Sequence, residues 1–320
     1  MKTAVITGIT GQDGAYLAHL LLQKNYRVIG IIRSYNNSNL SKLKHLQIED
    51  QLKLEECDLT DIPSIINILK KYQPQELYNL AAQSSVGLSF EQPIGTITFN
   101  SISVLNLLES IKIVDKSIRF YQASSSEMYG RVARLPITEE TPMHPLSPYA
   151  ISKATACWSV VNYRESYGLY ACNGVLFNHE SYLRTENFFV KKIIKNALAI
   201  KRGQQTELRV GNIDIKRDFG YAPEYVKAMW LMLQQPHPED YIICSGKSVS
   251  LREIIEYVFN KLEIPLNVVI SDPTLFRPTD IKDIYGDNGK AKRQLGWNYT
   301  LSFFDVLNLL IEEEVKRTKN

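Results

Sequence analysis

Residues 3–14, TAVITGITGQDG, restrict the fold of this 320-residue chain more than any other stretch. A short β-branched run meets glycines at positions 8, 11 and 14. The next segment, AYLAHLLLQK (15–24), then spaces Leu17, Leu20 and Leu21 along one helical face. Glycines in a strand–turn–helix let the backbone turn sharply and approach a pyrophosphate, which sits on the helix N-terminus. A glycine triplet alone also suits an ordinary tight turn. The strand before it and the helix after it favour a dinucleotide cradle at Gly8, Gly11 and Gly14.

The pattern that follows extends this reading. YRVIGII (26–32), LKLEECDLT (52–60) and ELYNLAA (76–82) read as strands, and IPSIINILKKY (62–72) and SISVLNLLESIKI (101–113) as helices. A βαβαβ order predicts an α/β fold, a Rossmann-type doubly wound parallel sheet with helices on both faces. After about residue 175 the alternation loosens. FFVKKIIKNALAI (188–200), REIIEYVFNKL (252–262) and SFFDVLNLLIEEEVKR (302–317) read as helices, and NVVIS (267–271) as a strand. The expected division is a dinucleotide-binding domain over 1–175, with a return segment near 212–236. A smaller α/β substrate domain spans 176–320, with no flexible linker between them.

Composition excludes several classes. With 44% hydrophobic residues, 22% charged residues and a net charge of +3, the chain has ample core but no basic block. Nucleic-acid and membrane-surface binding therefore gain no support. No apolar run reaches the roughly 18 residues that span a bilayer, and the N-terminus breaks into glycines too early for a signal peptide. Cys57, Cys157, Cys172 and Cys244 are scattered, without a C-x-x-C pair. Buried thiols in a cytoplasmic protein are expected, rather than a disulfide scaffold or metal site.

The end of the second strand bears on cofactor choice. NAD binders usually place an acid there for the ribose, and NADP binders an arginine for the 2′-phosphate. GIIRSYNNSN (30–39) offers Arg33 and no acid. NADP is the favoured cofactor and NAD the alternative. Asp58 suits the adenine amino group, or equally the cap of the helix beginning at DIPSII.

PYAISK (148–153) opens a helix with Tyr149 and Lys153 four apart, hence on one face. A nearby ammonium favours a phenolate, which can take a proton from a sugar hydroxyl. ASSSEMYG (123–130) follows a β-prone run and sets Ser126 beside Glu127. Together with the N-terminal glycines, these residues resemble the extended short-chain dehydrogenase/reductase family. The stretches LYNLAAQSSVGLSFEQP, SSSEMYG, SPYAISK, ACNGVLFNHES, KRDFGYAPEYVKAMWLMLQQ and FRPTD narrow the resemblance, over essentially the whole chain, to GDP-mannose 4,6-dehydratases.

That resemblance implies oxidation at C4, loss of water across C5 and C6, and hydride return to C6 of a GDP-hexose. It assigns Tyr149 as base at the C4 hydroxyl, Ser126 as its hydrogen-bond partner and Lys153 to the nicotinamide ribose. Glu127 becomes the acid and base at C5 and C6, a role that a simple dehydrogenase or epimerase does not need. Thr10, Gln12, Asp13, Leu59 and Ala81 join the cofactor contacts. Asn178, Lys192, Arg217, Arg277 and Asp280 become contacts to a GDP-sugar, and a homodimer or homotetramer is implied.

Departures from the family pattern accompany the match. YLRT (182–185) stands where PRRG is usual, Ser85 replaces a histidine, and Ser34 replaces a second arginine in a shortened loop. The apolar bulk of Tyr182 and Leu183 is expected to reshape the sugar pocket, toward GDP-N-acetylglucosamine or another GDP-sugar. An epimerase or 4-keto reductase, or a nucleotide-binding protein without activity, are the rival classes.

Overall fold

The structure, a computed structural model, describes residues 1–36, 38–276 and 278–317. Its first half alternates β1 (Thr3–Thr7), α1 (Gln12–Gln23), β2 (Arg27–Ile32), α2 (Ser41–His45), β3 (Lys53–Glu56), α3 (Ile62–Tyr72), β4 (Glu76–Asn79), α4 (Val86–Glu91), α5 (Pro93–Val114), β5 (Arg119–Ser125), α6 (Pro148–Tyr167) and β6 (Ala171–Leu176). The second half adds β7 (Asn178–Glu180), α7 (Phe189–Lys201), β8 (Leu208–Val210), β9 (Lys216–Tyr221), α8 (Ala222–Met232), β10 (Tyr241–Ile243), β11 (Ser248–Ser250), α9 (Leu251–Lys261), β12 (Val269–Ser271) and α10 (Phe303–Arg317).

Seven strands form one parallel sheet in the order β10-β6-β5-β4-β1-β2-β3. Helices cover both faces, so β1 and β4 are buried along their whole length. Continuous apolar runs such as TAVIT belong to such two-sided burial. The fold is therefore the expected Rossmann-type sheet. The chain returns to it through α8, which packs on α1, and through β10. That return extends past the expected 212–236, and β9, inside that range, joins a small sheet instead.

This small sheet has the order β11-β9-β7, and β12 pairs with β8. α7, α9 and α10 enclose a separate core around Ile194, Ile254, Phe259 and Val306. A single residue, Phe177, separates β7 of this small sheet from β6 of the main sheet.

α5 corrects one expectation. By length and composition it could cross a bilayer, although its apolar residues are interrupted. Half of it is buried, and it packs against α3 and α6 as a core helix.

Candidate active site

The strand–turn–helix behaves as its sequence dictates. Gly8 adopts φ +70, and a Cβ there would lie 2.8 Å from the Ala81 nitrogen. A Cβ on Gly14 would collide with the Gly8 carbonyl. Glycine is required at both points by close backbone approach. No side chain caps the N-terminus of α1, whose N-cap is Gly11, so its amides face outward for an anion.

A groove of about 590 Å³ opens over this turn. Its walls include Gly8, Thr10, Gly11, Gln12, Asp13, Gly14, Arg33, Asp58, Leu59 and Ala81. Arg33 is exposed at the end of β2, 5.3 Å over the Phe99 ring. Asp58 is not the cap of α3. Asp61 holds that place, accepting from the Ser64 amide at 3.2 Å. Asp58 accepts from the Thr60 amide and hydroxyl at 2.9 and 2.8 Å, bonds that hold its carboxyl below the usual range, with Arg33 helping. Thr7 secures the far wall: its hydroxyl reaches Asn79 at 2.5 Å and accepts from the Leu80 and Ala81 amides. The cradle and its uncapped amides fit a dinucleotide pyrophosphate.

A cavity of about 250 Å³ adjoins the groove and shares Asp13, Leu80, Ala82, Ser84 and Arg184 with it. β5 delivers Ser125 to it in register with Leu176 of β6, and one 3₁₀ turn then carries Ser126 and Glu127. Glu127 is half-buried and lines the cavity. α6 delivers Tyr149 and Lys153 because Ser147 caps its start, accepting from the Ala150 amide at 3.1 Å, with Pro148 next in the chain. An Asn100–Ser152 bond of 3.0 Å ties this helix to α5, and Asn100 also accepts from the Gln83 amide at 2.8 Å.

Tyr149 corrects one expected contact. The hydroxyl beside its phenol belongs to Ser125, whereas Ser126 is buried nearby and lines the cavity. Ser125 is the last residue of β5, and Ser126, which the resemblance paired with Tyr149, opens the 3₁₀ turn that follows. Burial pushes the phenol up to about 12, against the Ser125 hydrogen bond and the charge of Arg184. Burial also lowers the Lys153 ammonium to about 8. Lys153 donates to the Ala123 carbonyl at 2.8 Å and lies 5.9 Å from the Tyr149 ring centre.

Two charged residues at the seam escaped the sequence reading. His179 is buried, with Nε2 2.9 Å from Asp13 and Nδ1 2.7 Å from the Phe177 carbonyl. Burial lowers its pKa, but Asp13 outweighs that and leaves it raised. Arg184 lines both the groove and the cavity and lies 3.5 Å over the Phe188 ring. A histidine and an arginine five apart, directly after a buried strand, were the available signal. Gln12 completes the seam, donating to the His179 carbonyl at 3.2 Å and accepting from Ser181 at 2.7 Å.

The expected substrate contacts divide. Asn178 and Arg217 line the cavity. Arg217 is buried and donates to the Ile281 carbonyl at 2.6 Å, with Asp280 3.9 Å away. Asp280 itself lines a second hollow, beside Gly130–Leu135. Lys192 is outside the cavity lining and donates to the Arg209 carbonyl at 3.3 Å. Arg277 lies outside the described residues. The apolar departures also sit elsewhere than expected. Tyr182 and Leu183 are buried in the main core, and only Ser85 among the departures lines the cavity.

A Rossmann groove leading into a cavity with a Tyr-x-x-x-Lys pair and a carboxyl is the arrangement of the short-chain dehydrogenase/reductase class. The GDP-mannose 4,6 dehydratase family model matches residues 5–310. GDP-mannose 4,6 dehydratase 1 of Arabidopsis thaliana is 44% identical over 329 residues, covering 99% of this chain and 91% of that protein. The GDP-mannose 4,6-dehydratase of Sinorhizobium fredii is 42% identical over 339 residues, covering 98% and 97%. The chain belongs to the GDP-mannose 4,6-dehydratase family. Among solved structures, dTDP-glucose 4,6-dehydratase of Bacillus anthracis, in complex with NAD, superposes with TM-score 0.86 at 22% identity, covering 100% and 98%. RMD of Pseudomonas aeruginosa, complexed with NADPH, gives 0.83 at 24% identity, covering 99% and 100%.

Proposed function

We propose that the protein removes water from GDP-mannose, giving the 4-keto-6-deoxy sugar, with a nicotinamide dinucleotide in the groove. The observation that carries this reading is one cavity holding Ser125, Glu127, Tyr149 and Lys153 where it meets the dinucleotide groove. A nicotinamide held in the groove would supply a hydride acceptor for C4 and the hydride returned to C6. The chain's own residues manage protons and position. Tyr149 takes the C4 hydroxyl proton, with Ser125 hydrogen-bonded to the phenol. Lys153 anchors the nicotinamide ribose, and Glu127 takes the C5 proton that the 4-keto group acidifies.

Arg33 and the neutral Ser34, Ser38 and Asn39 line one end of the groove, which favours NADP over NAD. Asn178 and Arg217 hold the sugar nucleotide, with Asp280 and Lys192 toward its nucleoside end. The chain works as two units, a dinucleotide-binding part through residue 175 and a sugar-nucleotide part beyond it, joined by the return to the main sheet.

A second copy of the chain covers the outer face of α5 and α6. Ile102, Ile113, Ile151, Trp158 and Tyr167 are exposed there, with Trp158 at 61%, and such an apolar surface marks a contact site.

The test of function is incubation with GDP-mannose and NADP, with product mass as the readout. Loss of one water is expected. Unchanged mass, or a C4 epimer of equal mass, would overturn the reading.

A further inference from the structure

β7 carries Asn178 and Glu180 on one face, since side chains alternate along a strand, and both line the catalytic cavity. Three carboxyls meet this cavity: Glu127, Asp13 and Glu180. Asp13 is engaged by His179 and Gln12. Glu180 has no part in the scheme above.

Its side chain is 3% exposed. Oε1 lies 3.5 Å from Arg184 Nε, and neither that nitrogen nor Oε2 has a hydrogen-bond partner among the described residues. A buried carboxylate oxygen without a donor is unfavourable, whereas a protonated carboxyl can use that oxygen to donate. The charged groups around Glu180 come from four places: Arg184 in the following loop, His179 on its own strand, Asp13 on α1 and Lys191 on α7. Burial raises its pKa and Asp13 adds to this; Arg184, His179 and Lys191 oppose, and the value stays raised.

Elimination requires two proton transfers of opposite sense. A base must take the proton from C5, and the C6 hydroxyl must gain one to leave as water. Carboxyls in unlike environments can divide such work. We propose that Glu180 is a second catalytic residue, the general acid that protonates the departing C6 hydroxyl while Glu127 takes the C5 proton. The C5–H electrons form the C5=C6 bond, and the C6–O bond breaks with its electron pair on oxygen. That oxygen leaves as water with the proton from Glu180. The resulting carboxylate lies beside Arg184 and is reprotonated by the proton that Tyr149 took from the C4 hydroxyl and passed on through solvent. The proposal rests on the dehydratase reading above.

The test compares GDP-mannose with its 6-deoxy-6-fluoro analogue, because fluoride leaves without protonation. In the Glu180→Gln holoenzyme, water loss should fall by about 10²–10⁴ while fluoride loss stays within about threefold of wild type. Glu127→Gln should slow both. Equal loss with both leaving groups, or no loss with either, would overturn the proposal. The wild-type protein gives an independent reading if the variant folds poorly. Its rate of water loss should fall at alkaline pH through one more titration than its rate of fluoride loss. Identical profiles would count against Glu180. A wild type that removes no water from GDP-mannose would overturn the dehydratase reading, and this proposal with it.

Discussion

His179 Nε2 sits 2.9 Å from the Asp13 carboxylate, tying β7 of the small sheet to the first turn of α1. The other ring nitrogen faces the Phe177 carbonyl, so the doubly protonated imidazolium satisfies both acceptors. The two shifts define a pH window. The raised His179 value means its stabilisation is full below about 6.5 and lost as pH rises through the folded value. At Asp13, burial pushes upward, but His179 dominates and lowers the folded value. Its stabilisation is therefore present above about 3.8 and lost as pH falls through that lowered value. Melting temperatures of wild type and His179→Gln should differ most between these limits and converge as pH rises. A constant difference would show that the pair does not titrate in this way.

Much of this architecture was legible because its signals are local. The glycine turn, the apolar strands and the Tyr149–Lys153 spacing each lie within a few residues, and helix Ile62–Tyr72 falls where periodicity placed it. The start of α5 was less legible. Its first turns carry Thr96, Asn100 and Ser101, polar side chains that are nonetheless buried by packing against neighbouring helices. The roles of Ser125, His179 and Arg184 depend on where β5 ends and on how β7 meets α1. Those are contacts between residues far apart in the chain, and spacing cannot report them. Tyr182 likewise looked like a pocket residue in sequence. Instead it stacks on His45, with the Lys191 ammonium 4.2 Å over its ring.

Ser125 and Ser126 can be separated directly. Ser125→Ala removes the hydrogen bond that opposes burial at Tyr149, worth about 0.5–1.5 kcal/mol, or up to about tenfold in rate. The rising limb of its pH–rate profile, where Tyr149 loses its proton to act as base, should also move to higher pH. Ser126→Ala should leave that limb in place. The reverse ranking would return the role to Ser126.

Glu127→Gln should keep affinity for GDP-mannose and lose turnover by about 10²–10⁴, the usual contribution of a positioned base. Deuterium incorporation at C5 from heavy water should fall in parallel. Exchange at the wild-type rate in this variant would remove Glu127 from C5 chemistry.

Arg33→Ala addresses the cofactor. A charge-assisted hydrogen bond to a 2′-phosphate contributes about 1.5–3 kcal/mol, so NADP affinity should fall by one to two orders of magnitude. NAD affinity should change little. Calorimetry showing tighter binding of NAD than NADP to the wild type would reverse the cofactor assignment.

The sugar preference follows from where the departures lie. Tyr182 and Leu183 are packed in the main core, and the Thr185 hydroxyl donates to Asn187 at 2.7 Å. None of the three lines the cavity, so the apolar bulk that replaces the usual PRRG does not enlarge or reshape it. Ser85 does line the cavity, and its hydroxyl accepts from the Leu88 amide at 3.2 Å as the cap of α4. That bond commits Ser85 to local structure and leaves a small side chain at the wall. GDP-mannose should therefore be preferred to GDP-N-acetylglucosamine by more than about a hundredfold in kcat/KM, near the upper range that pocket shape alone provides. Tyr182→Phe should leave this ratio unchanged, because the ring stays in the core. Ser85→His should change it, because the added imidazole has only the cavity wall to occupy. Comparable turnover of both sugars by the wild type, or a shift in the ratio with Tyr182→Phe, would mean that the 182–185 segment reaches the sugar after all.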